Sequence, residues 1–127
     1  MNSILSKLFS NGNNGLSPDF IKIPKKSGKY DLINKNQIDA IVEGLNESYV
    51  FETDGSRKVM PKGSYVILSR ELGEDFINAT YSKICWSGLI VEYKAKIRKR
   101  FITGEIDGRL IIDMNHVLDR DEMFKID

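Results

Sequence analysis

The clearest alternation of hydrophobic and polar positions lies in the second half of the chain. Odd positions from Leu89 to Ile97 carry apolar or aromatic side chains, while even positions from Glu92 to Arg98 are charged. A period of two is typical of a strand with one buried face. Further on, Asp107-Gly108 is a hairpin dipeptide that places Glu105 opposite Leu110. The pattern therefore predicts antiparallel strands in this half.

A second hairpin is predicted near the middle of the chain. Tyr49 to Thr53 alternates with a period of two and ends at Asp54-Gly55, a dipeptide typical of hairpin turns, after which Arg57 to Met60 returns. The run Tyr65 to Leu68 is almost entirely apolar, which favours a strand buried on both faces. We expect that strand at the centre of the sheet.

Helical spacing predicts two short helices, near residues 37–46 and 74–84. Ile38, Ile41, Val42 and Leu45 follow the i, i+3, i+4, i+7 pattern of one helix face. Glu74 and Asp75 precede the second segment, where carboxylates favour a helix N-terminus. A third short helix is predicted between Asn115 and Phe124.

The N-terminal region is predicted to be separate from the core. Residues 1–10 have helical spacing and residues 11–15 are only Asn and Gly, so residues 1–15 are expected to form a helical arm with a flexible hinge. The arm is either a frayed terminus, which is the favoured interpretation, or a helix that docks on a partner or on a second copy of the chain. Residues 16–127 are expected to form a single domain, with one short strand around Phe20 to Ile23. The predicted fold class is α+β: a mostly antiparallel sheet of about five strands with two or three short helices on one face.

Composition narrows the functional classes. The chain has 127 residues, 19 Lys and Arg against 18 Asp and Glu, and a formal net charge of +1, which excludes binding of nucleic acid by bulk charge. No apolar run approaches the roughly 20 residues that span a bilayer. Cys85 is the only cysteine, so no intrachain disulfide forms and a cytoplasmic location is expected. No membrane association is predicted.

The residues suited to catalysis or metal binding are few. Cys85 and the only histidine, His116, have no recognisable partner in the sequence. We therefore predict no catalytic residues, no metal site and no cofactor, and favour a non-catalytic protein. Tyr81 and Trp86 could form the rim of a pocket, although we favour packing in the core for both.

One charged stripe stands out from this background. On a strand, alternation places the cations at 94, 96 and 98 on one face, about 7 Å apart, and Arg100 follows them. The stripe Lys94, Lys96, Arg98 and Arg100 is either a solvated sheet face or a site for a phosphate-bearing ligand, a nucleic-acid backbone or an acidic protein patch. Nucleic acid is the least supported of these, because few aromatic residues interleave with the cations.

Residues 49–84 resemble the PGDYG-motif proteins that are common in phage and bacterial genomes. The matching positions are Phe51-Glu52-Thr53, Gly55, Val59, Pro61, Gly63-Ser64-Tyr65-Val66-Ile67, Gly73-Glu74, Phe76 and Thr80-Tyr81. Lys62 separates Pro61 from Gly63, and Ser64 stands where the motif has Asp. The resemblance implies a small phage or mobile-element protein, and the family carries no established activity.

Three functions are compatible with these observations. The first is a non-catalytic cytoplasmic accessory protein that binds a partner protein or an anionic, phosphate-bearing small ligand. The second is a small nuclease or nucleic-acid-binding toxin that uses the basic strand. The third is an immunity or inhibitor protein, in which the acidic segment from Asp119 to Glu122 would contact a basic toxin.

Overall fold

The structure, a computed structural model, describes residues 19–112 and 118–126. Contacts between residues group the chain into two compact units, one up to Asn36 and one from Gln37 onward. The predicted N-terminal arm and hinge lie outside the described residues. No helix in the described part is long and apolar enough to cross a membrane.

In the first unit, β1 (Phe20–Pro24) and β2 (Tyr30–Asn34) form an antiparallel hairpin. Ile21 lies opposite Ile33, and both are buried. The connection turns at Gly28, whose φ of 85° favours glycine. The sequence predicted only one strand here, because the second is interrupted by polar residues.

The second unit contains one antiparallel sheet of eight strands in the order β5-β4-β3-β7-β6-β10-β9-β8. Its strands are β3 (Ile38–Glu43), β4 (Glu47–Glu52), β5 (Arg57–Pro61), β6 (Phe76–Ile84), β7 (Ile90–Arg98), β8 (Ile102–Ile106), β9 (Arg109–Ile112) and β10 (Glu122–Ile126). Arg57 on β5 lies 2.7 Å from Glu122 on β10, although four strands separate them in the sheet. The sheet must therefore curl around one of its faces.

That enclosed face, which we call the inner face, holds an aromatic and aliphatic core. The rings of Phe51, Tyr81 and Phe124 lie 5.4 to 6.1 Å apart between centroids, in tilted or edge-to-face arrangements. The buried members of this core are Ala40, Val42, Phe51, Ala79, Tyr81, Ala95, Ile97, Leu110 and Phe124. The core thus links strands from both halves of the sheet.

The opposite face, which we call the outer face, is covered in part by the helix α1 (Ser64–Leu72). The helix contacts β3 and β4, and the backbone N–H of Tyr65 donates to Oγ of Ser48 at 3.1 Å. Tyr65, Leu68 and Leu72 are buried. Beyond α1, the outer face of β7 carries Glu92, Lys94 and Lys96 at least partly in solvent.

The predicted α+β fold, with about five strands and two or three short helices, is wrong. The structure is mostly sheet, and α1 is the single α-helix among the described residues. Residues 38–43 and 76–84, predicted as helices, are the strands β3 and β6. Ile38, Ala40, Ile41 and Val42 are all fully buried, so β3 lacks the alternation that marks a strand with one wet face.

The run from Tyr65 to Leu68 shows the converse error. Predicted as the central strand, it lies in α1, where buried positions at 65, 68 and 72 follow helical spacing. The helix predicted between Asn115 and Phe124 is also wrong over residues 122–124, which belong to β10; residues 113–117 lie outside the described residues.

Several strands are confirmed. β4 and β5 pair around Asp54-Gly55, and β7 spans the region of clearest alternation. Glu105 lies opposite Leu110, as the Asp107-Gly108 turn predicts. The register then shifts, so that Ile102 rather than Thr103 lies opposite Ile112. A 3-10 turn at Lys99–Phe101 separates β7 from β8.

Candidate functional site

The turn between β6 and β7 exposes a group of large apolar side chains. Gly88 N–H donates to the carbonyl of Cys85 at 2.8 Å, and Cys85 N–H donates to the carbonyl of Leu89 at 2.8 Å. The φ of 85° at Gly88 closes this turn with a residue that tolerates the left-handed region. Trp86 therefore lies at the apex of a hydrogen-bonded hairpin.

Side-chain exposure is extreme at this point. Trp86 is 100% exposed, Leu89 is 67% exposed and Ile90 is 54% exposed. Ile84, which is also exposed, lies directly opposite Ile90, so their side chains share one face of the hairpin. We call Ile84, Trp86, Leu89 and Ile90 the hairpin tip.

The hairpin tip concentrates exposed hydrophobic residues in one short segment of the chain. It holds four of the eleven large hydrophobic residues that are exposed in the described part of the chain, all within a seven-residue segment. Isolated exposed hydrophobic residues are ordinary in soluble proteins, whereas contiguous patches mark sites of interaction. Leu45, in the turn between β3 and β4, is exposed as well, but no other residue of its turn is in this group.

Charged groups of both signs lie beside the hairpin tip. Ile84 N–H donates to the carbonyl of Asp121 at 2.8 Å, which holds the segment before β10 against the end of β6. Lys83 precedes Ile84, and Glu92 follows the apolar pair on β7. An apolar centre with a rim of mixed charge is the arrangement found in protein interfaces.

The predicted basic stripe is divided by the structure. Lys94 and Lys96 lie on the outer face of β7, the first exposed and the second half-buried. Arg100 falls in the 3-10 turn after the strand, with its guanidinium 5.0 Å from the ring centroid of Phe101. The four cations therefore do not form one continuous row.

Arg98 is held by contacts within the protein. It is 8% exposed, its Nε donates to the carbonyl of Ile38 at 2.9 Å, and its guanidinium lies 4.5 Å from the ring centroid of Phe76. Burial and the nearby charge of Arg100 lower its pKa, although the carboxylates of Asp75 and Asp39 oppose that shift. These contacts give Arg98 a structural position between β3, β6 and β7.

The predicted rim residues Tyr81 and Trp86 are not brought together. Tyr81 is buried on the inner face, where its hydroxyl donates to Oε2 of Glu122 at 2.6 Å, whereas Trp86 is in solvent. The same carboxylate oxygen accepts from Arg57 Nη2 at 2.7 Å. The three polar groups close one side of the inner core.

This arrangement shifts two pKa values in opposite directions. Burial opposes ionisation of Glu122, but the hydrogen bonds from Tyr81 and Arg57 and the positive charge of Arg57 outweigh it and hold the pKa below its ordinary value of 4.5. Burial, together with the hydrogen bond to this carboxylate and its charge, raises the pKa of Tyr81 far above 10.0. The carboxylate is ionised and the phenol neutral at pH 7.

The acidic segment is only partly available to a partner. Carboxylate oxygens of Asp119, Asp121 and Glu122 lie within 4.8 Å of one another, but Glu122 is buried and engaged by Arg57. Asp119 is exposed and Asp121 half-buried. Cys85 is half-buried at the start of the tip turn, and His116 lies outside the described residues.

Sequence reasoning singled out Trp86 but not the hairpin tip. The sequence pattern places Ile84 at a helix end, Leu89 on the core face of a strand and Ile90 as an exception on its polar face. The pairing of β6 with β7 is what brings Ile84 opposite Ile90 beside the turn that carries Trp86. The signal was present: Trp86-Ser87-Gly88 separates two apolar pairs, as a turn would. The contact of Arg57 with Glu122 joins positions 65 residues apart and leaves no local pattern.

No protein-family model matches this chain, and no match is found among curated proteins or among solved structures.

Proposed function

We propose that this chain is a non-catalytic binding protein that inserts the hairpin tip into an apolar pocket on a partner protein. The observation that carries the proposal is the complete exposure of Trp86 at the apex of a turn fixed by backbone hydrogen bonds. A tryptophan left in water in the free protein gains most when a partner removes it from water. Trp is also among the residues that dominate binding energies in interfaces.

The geometry of the turn supports an anchor that is already shaped for binding. Two backbone hydrogen bonds of 2.8 Å fix the turn, and β6 and β7 continue as a nine-residue ladder from Ile84 and Ile90 to Phe76 and Arg98. A partner therefore does not have to order this loop, which reduces the entropic cost of association. The flanking Ile84 and Ile90 enlarge the apolar contact around the indole.

The charges near the hairpin tip favour a protein over a lipid surface. Peripheral membrane segments place Lys and Arg around their apolar face. Here Asp121 and Glu92 balance Lys83 and Lys125, so the surroundings of the hairpin tip have no excess of positive charge with which to attract anionic lipid. Mixed charges instead allow complementary ion pairs around an apolar contact.

The resemblance to PGDYG-motif proteins supports a phage or mobile-element setting for this binding function. An immunity or inhibitor role is one form that it could take, with Asp119 and Asp121 beside the hairpin tip as acidic contacts. Glu92, the carboxylate among the cations of β7, forms an ion pair with Lys125 at 3.5 Å, so that strand does not favour the nuclease alternative.

Affinity capture from cells of the source organism, with identification and quantification by mass spectrometry, tests the proposal. The bait is the full chain, compared with Trp86→Ser and with Leu45→Ser, which removes an exposed apolar residue from a different turn. We expect a protein that is retained by the wild type and Leu45→Ser and lost with Trp86→Ser. Retention of the same proteins by all three baits would contradict the proposal.

A further inference from the structure

A cleft of about 500 Å³ opens on the outer face where β8, β9 and β10 meet. This volume is within the range of sites for small ligands. We call it the outer cleft; its lining combines apolar side chains, two cations and one acid: Ile106, Ile111, Met123, Arg109, Lys125 and Asp107. The hairpin tip contributes none of these residues.

Strand register explains why the two cations lie together. Lys125 on β10 is directly opposite Arg109 on β9, so both side chains point to the same face of the sheet. Phe124 and Leu110, the adjacent residues in each strand, lie in the inner core. The alternation of both strands therefore fixes the cations on the outer face.

The row of polar side chains continues across the sheet. Lys125 is opposite Thr80 on β6, and Thr80 is opposite Lys94 on β7. Lys94 thus belongs to the same outer face as the cations of the cleft, but β6 lies between it and them. This row runs across the strands, whereas the stripe predicted from the sequence ran along one strand.

We propose that the outer cleft binds a nucleoside monophosphate, with the base against Ile106, Ile111 and Met123 and the phosphate between Arg109 and Lys125. A guanidinium binds two phosphate oxygens at once, and an ammonium adds a point charge with three donors. Exposed aliphatic side chains give the flat face of a base a surface from which water can be displaced. The apolar side chains of the lining thus fit the base, and its two cations fit the phosphate of the same ligand.

The acidic groups nearby restrict the class of ligand. Glu92 lies 3.5 Å from Lys125, and the ammonium can keep this contact while it donates a second hydrogen to a phosphate oxygen. Asp107 sits at the hairpin turn in the lining of the cleft, where its carboxylate can accept from a sugar hydroxyl or a base amino group. The described residues of the lining include two cations and one acid, a set that suits a single phosphate.

Calorimetric titration of the full chain with each of the four ribonucleoside 5′-monophosphates tests this inference. Inorganic phosphate, which lacks the base, and the uncharged nucleosides, which lack the phosphate, are titrated as control ligands. We expect saturable binding of at least one monophosphate, and weaker binding of both its nucleoside and inorganic phosphate. Absence of saturable binding by all four, or binding of inorganic phosphate as tight as that of the nucleotides, would overturn the proposal.

Matched variants locate the site. Arg109→Gln and Lys125→Gln each remove one charge from an at least partly exposed position, so the fold should survive, which circular dichroism checks. We expect each to weaken nucleotide binding by about tenfold, as the loss of a charged hydrogen bond does. Lys94→Gln removes an exposed cation of the same face outside the cleft and should leave affinity unchanged. Equal losses in all three variants, or in none, would overturn the placement.

A further titration distinguishes binding of a free nucleotide from binding of a nucleic acid. Unlabelled single-stranded oligonucleotides of increasing length are titrated at two salt concentrations. A mononucleotide site predicts no gain in affinity with length. Affinity that rises with length, falls steeply with salt and is lost in Lys94→Gln would overturn the mononucleotide in favour of a nucleic-acid backbone.

Discussion

Glu122 carries a negative charge in a place that is almost closed to water. Its side chain is 3% exposed and depends on two donors, the guanidinium of Arg57 and the phenol of Tyr81. A buried charge is tolerated only when such partners replace its hydration. The interaction also connects β5 with β10 across the curled sheet, so loss of the carboxylate should affect stability.

The first prediction concerns acid. Because the folded-state pKa of Glu122 lies below 4.5, its ionisation stabilises the fold above about pH 4.5, and this contribution is lost as the pH falls through the folded pKa. Glu122→Gln should therefore lower the free energy of unfolding by about 2 kcal/mol at pH 7. Urea titrations at a series of pH values should show the two proteins converging below pH 4.5. A constant difference across that range would contradict the assignment.

The second prediction concerns alkali. The raised pKa of Tyr81 means that the neutral phenol stabilises the fold fully below pH 10, and that this contribution declines as the pH rises toward the folded pKa. Tyr81→Phe should cost about 1 to 2 kcal/mol at pH 7, because the buried carboxylate loses a donor. The deficit relative to the wild type should shrink above pH 10. Tyr30→Phe, at an exposed position, is the control. It should change neither the free energy of unfolding at pH 7 nor its dependence on pH above 10.

At the scale of elements, the sequence predicts strands well where one face is exposed to solvent and poorly where both faces are buried. β7 alternates because its outer face carries charges, and it was recognised. In β3 both faces are buried, one in the inner core, and the spacing of Ile38, Ile41 and Val42 imitates a helix. Periodicity alone cannot separate these cases, because short, fully buried strands lack a polar face.

The prediction of a strand from Tyr65 to Leu68, where the structure has α1, is wrong for a related reason. Its apolar run from Tyr65 to Leu68 is continuous because Val66 is apolar although it is exposed. The informative signal was the spacing of Tyr65, Leu68 and Leu72, together with the polar Ser69, Arg70 and Glu71. A longer window would have favoured a helix over a strand.

The third prediction tests the packing of α1. Leu68 is fully buried and Val66 is half in solvent on the same helix. Leu68→Ala should lower the free energy of unfolding by about 2 to 5 kcal/mol, because it leaves a cavity under the helix. Val66→Ala should change it by less than about 0.5 kcal/mol. Denaturant titrations that rank the two variants equally would indicate that the run lies in a sheet rather than a helix.

The fourth prediction tests the two faces of β7. Ile97 is fully buried in the inner core, whereas Lys94 is exposed on the outer face. Ile97→Asp buries an unpaired charge and should unfold the protein. Lys94→Glu should leave the thermal transition nearly unchanged. A folded Ile97→Asp variant would contradict the assignment of odd positions to the core.

At the scale of the whole molecule, the two sites that we propose are not the clearest patterns in the sequence. The stripe of cations was visible as a pattern, yet the structure divides it and gives Arg98 an internal role. The hairpin tip and the outer cleft arise from strand pairing, which joins residues such as Arg109 and Lys125 that have no local relationship. The sequence therefore shows which residue types are present for binding, but it does not show which of them strand pairing brings together.

The fluorescence of Trp86 tests the central claim most directly. It is the only tryptophan in the chain, so its emission reports on the hairpin tip without interference from a second indole. In the free protein we predict emission typical of a solvated indole and full quenching by acrylamide. On addition of the partner recovered by affinity capture, made with its tryptophans replaced by phenylalanine, the emission should shift to the blue and quenching should fall. Emission and quenching that stay unchanged in a saturated complex would contradict the account.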